Sequence, residues 1–133
     1  MTIRQAVIAD TPSIQALMQS VPGFWQSAWG ANVLERGLRS ADGLALVAEI
    51  HGKIMGFVCA HDIGFRAYLS ELVVAEAQRG SGLGRNLVER VEQAAIQRGC
   101  HVLFSDVWRD AEGFYRSLGW SSPDVVLLRK KLK

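Results

Sequence analysis

The sequence predicts a single α/β domain over residues 1–133, a mixed central sheet with helices packed on both faces. Two features carry most of that expectation. Strand-like segments follow one another between Leu44 and Val74, and a long amphipathic helical stripe runs from Leu83 to Ala95 immediately after a cluster of glycines. A third is the return to strand and then helix patterning beyond Gly99.

The elements can be justified in chain order. Ile3, Gln5 and Val7 alternate with Thr2, Arg4 and Ala6, as a short first strand would. Asp10-Thr11-Pro12 reads as a helix start, with Thr11 as the cap and Pro12 at the first helical position. Ile14, Leu17, Met18 and Val21 then recur at helical spacing toward a stop at Pro22-Gly23. The aromatic-rich stretch Phe24 to Trp29 is bounded by glycines, and a short second helix is expected around Val33 to Leu38. Leu44 to Ile50 reads as a strand, His51-Gly52 as a hairpin turn and Lys53 to about His61 as the returning strand. A further strand is expected from Ala67 to Val74. Leu83, Leu87, Val88, Val91, Ala94 and Ala95 share one face of the long helix, which Gly99 stops. Val102 to about Trp108 is expected as a strand, and Ala111, Phe114, Tyr115 and Leu118 as a short helix ended by Gly119. Val125 to Leu132 is expected as the last strand.

Composition narrows the function classes. A chain of 133 residues can bury roughly two-thirds of its unfolded surface, so it can hold a core without staples. No apolar run approaches the ~18 residues of a membrane span, and Met1 to Asp10 lack the apolar region of a secretory signal. Cys59 and Cys100 have neither metal nor redox spacing, which suits a reducing cytoplasm. The net charge is only +2, and the one basic cluster, Arg129 to Lys133, reads as a solvated terminus; neither nucleic acid nor membrane is an expected partner. His51, His61 and His101 are too scattered to predict a metal site.

The segment Gln78-Arg79-Gly80-Ser81-Gly82-Leu83-Gly84-Arg85 joins a strand to the long helix. Glycines at alternate positions let backbone approach a ligand, and a helix N-terminus with free N–H groups attracts phosphate. Arg79 and Arg85 add positive charge. A Rossmann fingerprint would need glycine at Leu87 and a P-loop would need Gly-Lys-Ser/Thr, so neither nucleotide motif is met.

In spacing, this segment resembles the signature of the GNAT superfamily of acyl-CoA N-acyltransferases, Arg/Gln-x-x-Gly-x-Gly/Ala, through Arg79, Gly82 and Gly84. Ala111-Glu112-Gly113-Phe114-Tyr115-Arg116-Ser117-Leu118-Gly119-Trp120 is similar to the family's second signature, and Ile3-Arg4, Ala6 and Asp10 resemble its start. The resemblance implies the GNAT fold and acetyl-CoA as co-substrate, with no metal. It implies pyrophosphate on Arg79, Gly80, Ser81, Gly82, Leu83, Gly84 and Arg85, and backbone contacts from Leu72, Val73 and Val74. It further implies Tyr115 as general acid toward the CoA sulfur. Trp108 stands where many members carry Asn and Ala75 where proline is usual, so a polar contact to the cofactor is missing at Trp108.

Direct attack by a primary amine needs a group to take its proton. Glu71 is the first candidate, because regular alternation would place it with Leu69 and Val73 and away from Ser70 and Leu72; a solvent-facing carboxylate is the alternative. His61 is a second candidate base. Trp25 and Trp29 are candidates for an aromatic wall over the acceptor, or for loop packing. The sequence leaves open whether the acceptor is a small molecule or a protein amine, and whether the chain forms a homodimer. It also leaves open a non-catalytic CoA-binding or partner-binding module of the same fold.

Overall fold

The computed structural model describes residues 1–133. Five strands form one sheet in the order β1 (Thr2–Gln5), β2 (Ala45–Ile50), β3 (Lys53–Asp62), β4 (Ala67–Val74) and β5 (Leu103–Phe104). The first four pair antiparallel and β5 lies parallel to β4, so the sheet is mixed. The helices are α1 (Thr11–Ser20), α2 (Val33–Ala41), α3 (Leu83–Gln97) and α4 (Glu112–Ser117).

Local chemistry accounts for most of these elements. His51 and Gly52 both take positive φ, 52° and 76°, as a tight two-residue hairpin between right-twisted strands requires. The apolar stripe of α3 is buried against β3. A Cβ on Gly56 would sit 2.9 Å from Leu87 Cδ1 and 3.2 Å from Leu83 Cδ2, so glycine is what lets the helix lie this close to the sheet.

Burial divides the core between the two sheet faces. Ile14, Met18 and Leu38 from α1 and α2 pack with Val47, Phe57, Cys59 and Val73 on one face. Leu83, Leu87, Val91 and Tyr115 from α3 and α4 pack with Leu44, Val58, Ala60 and Leu69 on the other. At the N-terminus Arg4 grips Asp10 through two 2.8 Å hydrogen bonds, while Asp10 also accepts the Val7 N–H at 2.8 Å. Asp10 is buried, and the guanidinium holds its carboxyl below the usual carboxylate range.

Two strand expectations are corrected. Val102 to Trp108 forms a ladder only at Leu103 and Phe104, because the chain then leaves β4. Val125 to Leu132 forms no strand, and Val125, Val126 and Leu128 are more than 70 % exposed. The apolar run has the composition of a strand but no ladder to join, since β5 offers an edge only two residues long.

Candidate active site

The site begins with that separation of β4 and β5. They pair at Ala67 with Leu103 and Tyr68 with Phe104, after which side chains alone tie them together: Ser105 Oγ donates to Leu69 O at 2.7 Å, and the Tyr68 hydroxyl donates to Asp106. The Ala75 N–H bonds Met55 O on the β3 side at 2.9 Å, so strand alternation turns the Val74 and Leu72 N–H groups toward the opened edge. A cleft of about 1150 Å³ fills the gap, with Leu72, Val73 and Val74 along its β4 wall.

The glycine loop forms one end of this cleft. Gly80 and Gly82 have φ of 80° and 87°, and a Cβ on either would meet no atom within 4 Å: their backbone faces open space in a conformation glycine favours. Gly82 is the N-cap of α3, and no side chain caps the helix, so its first N–H groups are free for an anion. Leu83 is buried and anchors the turn, while a Cβ on Gly84 would lie 3.4 Å from Phe114 Cζ, drawing α3 close to α4. Arg79, Gly80, Gly82, Leu83, Gly84 and Arg85 line the cleft. Ser81 does not; its hydroxyl donates to Gln78 O at 2.5 Å. Arg85 is shared with Glu89 in a 2.6 Å ion pair, whereas Arg79 has no ion pair within the chain. This cradle fits a pyrophosphate. Arg79→Ala should therefore weaken CoA binding by roughly 10- to 100-fold, the worth of a hydrogen bond to a charged group, and Gly82→Val should weaken it further. Calorimetric titration of folded variants checks this; unchanged affinity in both would place the pyrophosphate elsewhere.

Tyr115 and Glu71 reach the same cleft from opposite sheet faces. Tyr115 is held edge-on between Phe114 and Trp120, each ring centroid 5.1 Å away, and its hydroxyl hydrogen-bonds no group of the chain. Burial and the charge of Glu71 push its phenol up to about 12, so it stays protonated through the neutral range. Glu71 is half-buried and has no hydrogen-bonded or ionic partner. Burial, reinforced by the charge of Asp106, raises its carboxyl to about 7.

The alternation read from the sequence fails at two residues, Leu69 and Ser70. The β3–β4 register slips between Cys59, opposite Glu71, and Ala60, opposite Leu69, making Ser70 the extra residue of a bulge. Glu71 does share its face with Val73, but Leu69 is turned to the α3 side. Ser70 joins Glu71 on the α1–α2 face, where its Oγ lies 2.8 Å from His61 Nε2. His61 Nδ1 lies 2.9 Å from Ser40 Oγ on α2, and burial lowers its pKa. With both ring nitrogens engaged, His61 bridges α2 to the bulge.

Sequence reasoning missed three contributors. Asp106 accepts a hydrogen bond from Tyr68 and adds negative charge near Glu71. Ser70 is presented by a bulge that no glycine marks. Phe24 meets Trp108 edge-on at 5.7 Å, forming an aromatic lip on the cleft at the position where an Asn was expected. Trp25 and Trp29 pack edge-on at 5.1 Å; Trp29 lines the cleft, while Trp25 lines a smaller adjoining cavity.

The acetyltransferase (GNAT) family matches residues 12–120. An acetyltransferase of Yersinia pestis (strain Pestoides F) is 35% identical over 102 residues, 74% of this chain and 72% of that protein. Glucosamine-6-phosphate N-acetyltransferase from Arabidopsis thaliana superposes with a TM-score of 0.76 at 20% identity, covering 99% of this chain and 98% of that one. The aminoglycoside enzyme AAC(6')-Iy, solved with a CoA-linked bisubstrate analogue, superposes with a TM-score of 0.76 at 20% identity, covering 98% and 97%. Fold, sequence and relatives together define an acetyl-CoA-dependent N-acetyltransferase. The chain belongs to the GNAT acetyltransferase family.

Proposed function

We propose that the protein moves an acetyl group from acetyl-CoA to a primary amine by direct attack, with Glu71 receiving the amine proton and Tyr115 supplying one to the departing thiolate. The observation that carries this reading is the convergence of the two side chains, from opposite faces, on the cleft where β4 and β5 part. Glu71 ionised at and above neutral pH would pair with the incoming ammonium ion and accept its proton. The neutral nitrogen then attacks the thioester carbon, and the C–S bond breaks as the amide forms. Charge on the carbonyl oxygen would be met by the N–H groups of the Leu72–Val74 segment that face the gap. The sulfur leaves as a thiolate and takes the proton of Tyr115; the second proton of the nitrogen, shed as the amide forms, would restore the Tyr115 phenol, and Glu71 would return its proton to solvent. The loop from Arg79 to Arg85 would hold the pyrophosphate, Ser81 contributing through its backbone alone. Trp108 offers its neighbours an aromatic face in place of an amide.

Incubating the purified chain with acetyl-CoA and a mixture of amines, with thiol release and product masses followed together, tests the reading. Free CoA and an amine heavier by one acetyl group should appear at equal rates. Binding of CoA with no acetylated product would identify a binding module instead.

A further inference from the structure

A second, smaller cavity adjoins the cleft. Its volume is about 220 Å³, and Met18, Trp25, Trp29, Leu34, Leu38 and Phe57 supply most of its wall. Trp29, Ser70 and Glu71 border both spaces, so Glu71 stands at the junction between them. We infer that the acceptor is a compact primary monoamine with an apolar or aromatic substituent, the substituent filling this cavity and the nitrogen lying at Glu71. The inference rests on the amine-acetylation reading above and narrows its substrate class.

Charge makes the first case. Glu71 is the only charged residue around the cavity. Cys59, the other titratable group there, is buried and pushed up to about 12, hence neutral. From the neighbouring elements, His61 is tied to Ser40 and Ser70, and Glu35 and Arg39 of α2 pair with each other at 2.8 Å. Asp106 and Asp110 line the large cleft and not the cavity. A second ammonium group inside would be buried without a partner, and a sugar's hydroxyls would exchange water for aromatic and aliphatic walls. Size makes the second case. The space is smaller than the ~300–1,000 Å³ of pockets for drug-sized ligands, so it suits one ring or a short branched chain. The apolar lip of Phe24 and Trp108 extends the same character to the cleft.

Gly37 provides a direct test. It lies on α2 at the cavity wall, and a Cβ built there meets no atom within 4 Å. Leucine at this position would enter the cavity without a backbone clash and would favour the helix. With saturating acetyl-CoA, kcat/KM is measured for 2-phenylethylamine, isoamylamine, ethanolamine, spermidine and neamine. The two apolar amines should exceed the other three by at least roughly tenfold, each buried methylene being worth about fourfold. Gly37→Leu should lower the 2-phenylethylamine value by roughly 10- to 100-fold while leaving ethanolamine turnover and CoA affinity within about twofold; Gly37→Ala should act in the same direction more weakly. Preference for ethanolamine, spermidine or neamine, or a Gly37→Leu effect that is equal for all amines or nil, would overturn the substrate class while leaving amine acetylation intact. CoA binding with no acetylation of any of the five would refute the underlying reading and this inference with it.

Discussion

Replacing Tyr115 with Phe should lower kcat by about 10²–10⁴-fold, the usual contribution of a positioned acid–base group, with little change in CoA affinity. The substitution keeps the ring between Phe114 and Trp120, so the edge-on contacts and the α4 side of the core survive. It also leaves no partner stranded, because the hydroxyl bonds no group of the chain. Steady-state kinetics with calorimetric CoA titration separate the two outcomes. A loss under about threefold, with chemistry shown to limit the rate, would make Tyr115 a packing residue.

Glu71→Gln should cost roughly 10²–10³-fold in kcat/KM for the amine, with part of the loss in a raised KM, because the variant neither pairs with the ammonium ion nor takes its proton. CoA binding should remain nearly unchanged, since the glycine loop lies at the end of β4 and beyond it. Glutamine keeps the size of the side chain and removes a carboxylate that has no ionic partner in the chain, so the fold should be no less stable. An unchanged amine KM and turnover, measured at saturating acetyl-CoA, would make Glu71 a spectator.

Much of this site was legible because its signals are local. The glycines at 80, 82 and 84, the helix that follows them and the Phe114-Tyr115 pair are short patterns whose geometry depends on nearby residues. The hairpin at His51-Gly52 was readable for the same reason. The bulge was not. Ser70 has no special backbone demand that a sequence pattern would reveal, yet it decides that Ser70 and Glu71 share a face with α1 and α2. The parting of β4 from its neighbour was expected through the family resemblance alone and from no local pattern, since it depends on where a chain segment more than thirty residues away leaves the sheet. The tail failed for a related reason. Val125 to Leu128 carries strand-like composition, but pairing depends on an edge elsewhere in the fold that proved too short. Tyr68 and Asp106, similarly, meet only through tertiary structure.

The pH dependence of kcat/KM for the amine, recorded side by side for the native chain and Glu71→Gln, tests the proposed chemistry most directly. Glu71 must be ionised to accept a proton, and its burial and the nearby Asp106 charge raise it to about 7. Native activity should therefore fall as pH drops through about 7, tenfold per unit once the carboxyl is protonated. The buried Tyr115 phenol, at about 12, stays protonated and adds no limb in this range. In Glu71→Gln the limb near 7 should disappear from a much reduced rate. The same limb at the same pH in both proteins would contradict the assignment of Glu71 as the proton acceptor.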